Sequence, residues 1–203
     1  MKHHLLKTLC ILTVLAMLLP CVGGLGIFSA TGAERELVNL AELATLTSDS
    51  VWDDPEGYWR LSFLTDGSKL TPWPLPAGQT LGWRSARHDS RNANIKLTFD
   101  LAHTATVSRV DIYPRDGGQT FPDDYAVSVS DDGVTWKTVA SVTGDTEIRS
   151  EGRQLSFSPV TACFVRVEIT KLSAEKDGND QICTLSEIEI WGTSEQTVRI
   201  TPQ

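Results

Sequence analysis

The chain has 203 residues, with 18 Lys and Arg against 26 Asp and Glu, and a formal charge of −8 with histidine neutral. That length bounds it to one principal domain. The acidic balance excludes a surface built to hold nucleic-acid phosphates or anionic lipid, and leaves neutral polar ligands and cations as partners.

The first element is not part of the fold. Lys2, His3, His4 and Lys7 precede an uncharged apolar stretch from Leu9 to Phe28, and small residues follow from Ser29 to Ala33. This three-part layout predicts a secretory signal peptide over residues 1–33, cleaved after Ala33 or Ala30, and so a secreted or cell-surface protein. The alternative is a retained N-terminal anchor, because about 20 apolar residues can span a bilayer; Pro20, Gly23, Gly24 and Gly26 weaken the stretch as a helix. Cys21 after Leu18-Leu19-Pro20 is a poor lipoprotein signal, since proline precedes the cysteine. Removing residues 1–33 takes away Lys2 and Lys7 and no acid, so the charge falls from −8 to −10.

Residues 34–193 then read as one domain, followed by a polar tail over 194–203. A short helical turn is predicted between Glu36 and Ala44. Ser48 to Asn94 has weak periodicity, four of the nine prolines and four of the six tryptophans, Trp52, Trp59, Trp73 and Trp83. A stretch so long without clear strands is functional or is ordered by something else, such as a metal. Strand signals dominate afterwards. Ile95, Leu97, Phe99 and Leu101 alternate with polar residues, as do Val110 and Ile112, Val127 and Val129, Leu155 and Phe157, Val165, Val167 and Ile169, and Ile188 and Ile190. A period of two marks half-buried strands, and their number with turn-rich links predicts an all-β sandwich.

The run from Val110 to Trp136 reads as a central hairpin: two strands, a long polar loop holding Arg115, and a tight turn at Asp132-Gly133. A charged loop on a strand scaffold is the usual setting for binding. Cys163 and Cys183 are the cysteines left after processing; the strands they flank place them near opposite ends of a hairpin, which argues against a bridge. Trp136 and Trp191 sit at strand positions and are expected in the core. The acid pairs Asp53-Asp54, Asp123-Asp124 and Asp131-Asp132 are adjacent in turns and splay apart, unlike carboxylates facing across a cleft. With no zinc-binding His pair, nucleophile elbow or phosphate loop, the chain reads as a binder rather than an enzyme.

The ordered set Leu64-Thr65-Asp66-Gly67, Trp83-Arg84-Ser85, Tyr113-Pro114-Arg115-Asp116-Gly117-Gly118, Phe121-Pro122-Asp123-Asp124-Tyr125, Val129 to Trp136, Phe164-Val165-Arg166-Val167 and Leu185 to Gly192 resembles the discoidin, or coagulation factor 5/8 type C, domain. Within that family it is most similar to the bacterial branch grouped with carbohydrate-binding module family 32, from about Leu37 to Gly192. The resemblance implies an eight-stranded antiparallel β-sandwich, a jelly roll of the galactose-binding-like kind, with a ligand site on loops at one end. It also implies a structural calcium. Asp66 and Thr71 would offer side-chain oxygens, Ser68 a carbonyl, and Glu187 would close the site. Ser68 stands where the family often has Asp or Asn, and Trp83 competes with Trp73 as the family tryptophan. A plain Asp-Gly turn is the alternative.

By the same resemblance Arg115 matches an arginine that contacts sugar hydroxyls, its planar fork suiting a vicinal diol. His88 sits where several members carry a histidine, with Arg84, Arg91 and Asn92 near in sequence. The alternative for Arg115 is a surface salt bridge to Asp116 or Asp123. Members often stack the sugar on an aromatic from the loop before the last strand, and Lys171 to Thr184 holds none; Trp52, Tyr58 and Trp59 are the substitutes. Phe121 would either line the pocket or support its base. The implied function is a secreted binder of galactose-type or related glycans. The alternatives are a protein or cell-surface attachment module, or an accessory domain of a glycoside hydrolase; coagulation-type membrane binding is disfavoured by the charge.

Overall fold

A computed structural model describes residues 36–69, 74, 75, 77, 80–115, 119–147, 151–174 and 181–194. Contacts divide the chain into Met1–Glu34 and Arg35–Gln203, and every described residue lies in the second unit. The predicted signal peptide and nearly all of the polar tail therefore lie outside the described residues, as do Thr71 and Trp73.

Eight strands are described: β1 Val38–Asn39, β2 Thr45–Ser48, β3 Trp83–Arg84, β4 Asn92–Pro114, β5 Asp124–Ser130, β6 Lys137–Val142, β7 Arg153–Lys171 and β8 Thr184–Ser194. The turn expected near Glu36 to Ala44 is a 3-10 turn over Leu40–Leu43, capped by the Asn39 side chain on the Ala41 N–H. All pairings are antiparallel.

The long strands β4 and β7 make the sandwich, because each runs through both layers. In one layer β2 and β7 flank the first half of β4, and β5 and β6 follow. In the other, the first half of β7 and then β8 flank the second half of β4, while β1 and β3 share the far edge of β8. The crossover is local in sequence. Ala102 takes a positive φ of 62°, its N–H bound by the Asp100 carboxylate at 2.8 Å. The register between β4 and β7 shifts between Asp100 and Ala105. Ile95, Leu97 and Phe99 before the bend, and Val107, Val110 and Ile112 after it, reach one core with Val127, Val165, Val167, Ile188, Ile190 and Trp83.

Several expectations need correction. The run from Val110 to Trp136 is not a hairpin: the second half of β4 and β5 lie in different layers, and β5 pairs with β6 and β7 instead. Likewise β7 and β8 do not pair with each other, as both pair with β4. Cys163 and Cys183 are free thiols, which agrees with the reading against a bridge though not with the hairpin it rested on; Cys183 is buried, and burial pushes its thiol well above the ordinary range. The Asp132-Gly133 link is longer than a two-residue turn, since β5 ends at Ser130 and β6 starts at Lys137. Trp136 and Trp191 are half-buried and outside the core, under Arg166 at 3.6 Å and Arg109 at 4.7 Å. Trp191 shares its strand face with Glu187 and Glu189, while Ile188 and Ile190 take the core side. Trp83 is the core tryptophan, fully buried, with its indole N–H on the Ser50 carbonyl at 3.1 Å.

Two positions test this architecture. Gly82 has φ 92°, and a Cβ there would fall 2.1 Å from the Leu185 carbonyl oxygen. Gly82→Ala is expected to cost at least about 2 kcal/mol by urea denaturation; a variant as stable as the parent would contradict the close docking of β3 on β8. Asp132 accepts the Thr135 N–H at 2.7 Å and the Val134 N–H at 2.8 Å, and these with the Ser130 hydroxyl hold its carboxyl down to about 2 from 3.8. Its contribution is thus complete above the ordinary value and lost as pH falls through the depressed one. Asp132→Asn should lower Tm by a few degrees at pH 6, the deficit narrowing toward pH 2. A constant deficit across that range would show the carboxylate charge to be irrelevant.

Candidate functional site

The loop end of the sandwich is organised around β8. Trp83 and Arg84 of β3 pair with Leu185 and Thr184, while Pro114 of β4 pairs with Leu185 from the other side. Arg84 and Arg115 therefore rise on either side of β8, on backbones two strand spacings, about 10 Å, apart. The stretch of weak periodicity packs along the free edge of β3: the Trp52 N–H binds the Arg84 carbonyl at 2.9 Å, the Arg60 N–H the Gly82 carbonyl at 3.0 Å, and the Leu81 N–H the Tyr58 carbonyl at 3.3 Å. Between them, the Asp54 carboxylate takes the Glu56 N–H at 3.2 Å and the Trp59 N–H at 2.9 Å. This self-bonded loop fixes both tryptophans.

Each tryptophan meets an arginine. The Arg115 guanidinium lies 5.2 Å from the Trp59 ring centroid, and Arg84 and Arg87 lie 4.4 and 4.9 Å from that of Trp52. Four of the six expected ligand residues, Arg115, Arg84, Trp52 and Trp59, thus form two stacked pairs. Arg87 belongs with them and was not singled out in the sequence, where it is one of several basic residues in a loop. Both rings are half-buried, whereas Tyr58 is 50 % exposed. Nε of Arg115 is enclosed and has no hydrogen-bond partner among the described residues.

The other candidates are placed differently. His88 sits in a bridge with Gln181, its N–H on the Gln181 carbonyl at 3.0 Å and its Nε2 3.3 Å from the Ser50 hydroxyl. It ties three loops together. Asn92 is exposed at the start of β4, opposite Lys171, in the other layer. Arg91 is committed to Asp123 and to the Leu172 carbonyl at 3.0 Å. Burial pushes the Asp123 carboxyl up, and Arg91 opposes that shift. Asp123 is thereby taken, which removes it as the salt-bridge partner considered for Arg115; Asp116 lies outside the described residues. Phe121 is buried edge-on against Tyr125, with ring centroids 5.5 Å apart, and supports the base of the loops.

The expected cation ligands Asp66 and Glu187 come together. Both Glu187 oxygens accept the Gly67 N–H at 3.2 Å, while the Asp66 carboxylate accepts the Ser68 N–H at 2.9 Å and the Thr80 hydroxyl at 2.8 Å. Thr80, not anticipated, occupies the neighbourhood proposed for Thr71; it precedes Trp83, and taking Trp83 as the family tryptophan points to it. Glu187 is fully buried. Desolvation pushes its carboxyl up to about 8, opposed by the Gly67 N–H and reinforced by the Asp66 and Glu189 charges. Among the described residues no three His, Cys, Asp or Glu side chains are grouped to hold a metal. A cation here would need carbonyl and hydroxyl oxygens as well, which is the donor set that suits Ca²⁺.

The F5/8 type C domain profile matches residues 45–188. The chain belongs to the F5/8 type C domain family. Its fold is that of family 32 carbohydrate-binding modules. The Clostridium perfringens module CpGH89CBM32-5, solved in complex with GalNAc-β-1,3-galactose, is similar at a TM-score of 0.58 and 17% identity, over 75% of this chain and 99% of that one. The family 32 module of Clostridium perfringens NanJ, solved with galactose, is similar at 0.57 and 19%, over 77% and 99%. Chitosan-binding module 2 of a Paenibacillus sp. IK-5 chitosanase/glucanase, solved with chitotriose, is similar at 0.51 and 21%, over 75% and 98%. No curated protein matches the chain.

Proposed function

We propose that this F5/8 type C domain is a secreted, non-catalytic glycan-binding module whose site lies on the loops around Arg115. One observation carries the reading: Arg115 is held on the Trp59 ring at the loop end of β4, without an ion-pair partner among the described residues. A guanidinium stacked on indole keeps its in-plane donors at the ring edge, where they fit adjacent sugar hydroxyls. The indole also fixes the side chain beforehand, so less rotamer freedom is lost on binding. Arg84 and Arg87 on Trp52 extend the donor set. Because Trp52 and Trp59 already back arginines, Tyr58 supplies the apolar face for the sugar ring. His88 acts by bracing Ser50 and Gln181. One shallow site gives weak affinity, so attachment to a partner such as a glycoside hydrolase or a cell-surface protein would supply avidity. Galactose-type glycans are the first ligands to test, from the company this fold keeps.

The same reading includes a structural Ca²⁺ held by Asp66, Glu187 and Thr80, with the Ser68 carbonyl in reach of the same turn. What supports it is a buried carboxylate that takes backbone N–H groups and no cationic side chain among the described residues. The ion would pin the 66–69 turn to β8, beneath the loop that carries Trp59.

On a glycan array, Arg115→Ala is expected to lose signal by about tenfold or more against the parent, and Tyr58→Ala by less. If the parent binds no glycan, or if Arg115→Ala binds as well as the parent, the pocket assignment fails. For the cation, adding EDTA should lower Tm by several degrees and added Ca²⁺ restore it, while Asp66→Asn should abolish both responses. Melting indifferent to EDTA would identify Asp66-Gly67 as a plain turn.

A further inference from the structure

A second concavity lies at the other end of the sandwich, beside the link between β5 and β6. It encloses about 250 Å³ and is lined by Ser130, Asp131, Thr135, Trp136, Lys137 and Thr161, among others. β5 runs the full distance from the Arg115 end to this one, and its seven residues span about 20 Å. A ligand on Arg115 therefore cannot also fill this pocket through one sugar ring.

The walls are built in advance. The Trp136 indole N–H donates to the Gly133 carbonyl at 3.1 Å, and the Arg166 guanidinium lies 3.6 Å from the ring centroid. Arg166 is itself fixed by the Thr98 hydroxyl at 3.3 Å and the Glu168 carboxylate at 3.5 Å. Ser130 and Asp132 are spent inside the link: the Ser130 hydroxyl donates to Asp132 at 2.9 Å and accepts the Gly133 N–H at 2.9 Å. What remains on the pocket wall is an immobilised indole and three polar side chains, Asp131, Lys137 and Thr161. None of the three has a hydrogen bond or ion pair among the described residues.

We infer that this pocket is a second binding site, for a neutral sugar ring. The composition selects that class. A carboxylate and an ammonium on one wall disfavour a ligand carrying a net charge of either sign. An acceptor, a donor and a hydroxyl together suit a ligand whose groups each donate and accept, as sugar hydroxyls do. A rigid aromatic wall suits the apolar face of a pyranose. The site stands apart from the Arg115 loops and does not need them. With both occupied, one module bridges two glycan chains, or two points on one chain, without dimerising.

The test is an NMR titration of the full chain, following the Trp136 indole resonance. The probes are galactose and N-acetylgalactosamine, each raised to tens of millimolar. At least one should shift that resonance saturably, in the parent and equally in Arg115→Ala. Lys137→Ala and Asp131→Ala, which change exposed side chains, should weaken the affinity read from that shift by about fivefold or more. No shift with any probe overturns the inference, as does a shift that disappears in Arg115→Ala. Loss of binding at the Arg115 end alone, with the Trp136 response intact, would refute the first site and leave this one standing.

Discussion

The arginine pairs and the acidic turn of the domain both depend on how closely neighbouring strands approach β8. Its first residues are shared by β3 and β4, and Gly82 lets β3 come so near that no Cβ fits against the Leu185 carbonyl. That contact sets the separation of Arg84 and Arg115. It also sets the edge along which residues 52–60 lie, and hence where Trp52, Tyr58 and Trp59 stand. Further along, Glu187 and Glu189 project from the same strand toward the 66–69 turn. Loosening β8 would displace the arginine pairs and the acidic turn together, which explains why an outward strand face is here as buried as a core one.

The four described tryptophans outside the core follow one pattern. Trp52, Trp59, Trp136 and Trp191 each carry at least one arginine on the ring. Trp83, fully buried, instead satisfies its indole N–H on a backbone carbonyl. A half-exposed indole leaves a large apolar face, and a guanidinium covers it while keeping its own charge wet. In an acidic chain this places much of the positive charge over aromatic surface. At the Arg115 end the consequence for recognition is direct: Arg84, Arg87 and Arg115 are prefixed donors, and the Trp52 and Trp59 rings back them.

The pattern also explains what was legible in the sequence. Alternation reports which residues share a face, and it marked β4, β5, β7 and β8, as where Ile95 to Leu101 and Val165 to Ile169 hold phase, but not the short β1, β2 and β3 or the edge strand β6. It cannot report that a strand changes layer. Ala102 is an ordinary residue in an unusual conformation, and the shift it creates turned an apparent hairpin from Val110 to Trp136 into a crossing between layers. Trp136 and Trp191 were misplaced for a related reason: hydrophobicity marks them for the core, while the arginines that cover them are 30 and 82 positions away in sequence. Arg115, Arg84, Trp52 and Trp59 were identifiable singly, but their pairing depends on β8 lying between β3 and β4. Thr80 was missed because a proline-rich insertion separates it from Asp66.

The two glutamates of β8 show how one strand face divides its charges. Glu189 is neutralised internally. Lys69 lies at 2.7 Å, and the Tyr113 hydroxyl and the Trp191 indole N–H donate at 3.1 and 3.3 Å. Glu187, two residues back and more deeply buried, receives the Gly67 N–H and faces the Asp66 carboxylate. Burial without a counter-charge costs several kcal/mol in general, and proteins relieve it with a proton, a salt bridge or a metal. Lys69 is in the same turn as Gly67 and reaches Glu189 instead. That choice leaves Glu187 beside the Asp66 carboxylate with no cationic side chain on it among the described residues. A proton would discharge one carboxylate but would leave the other oxygens unbridged, whereas a divalent cation would satisfy both acids and the Thr80 hydroxyl at once. With burial pushing the Glu187 carboxyl up to about 8, a proton and the proposed cation would compete for it near neutral pH, and a bound cation would fix the 66–69 turn.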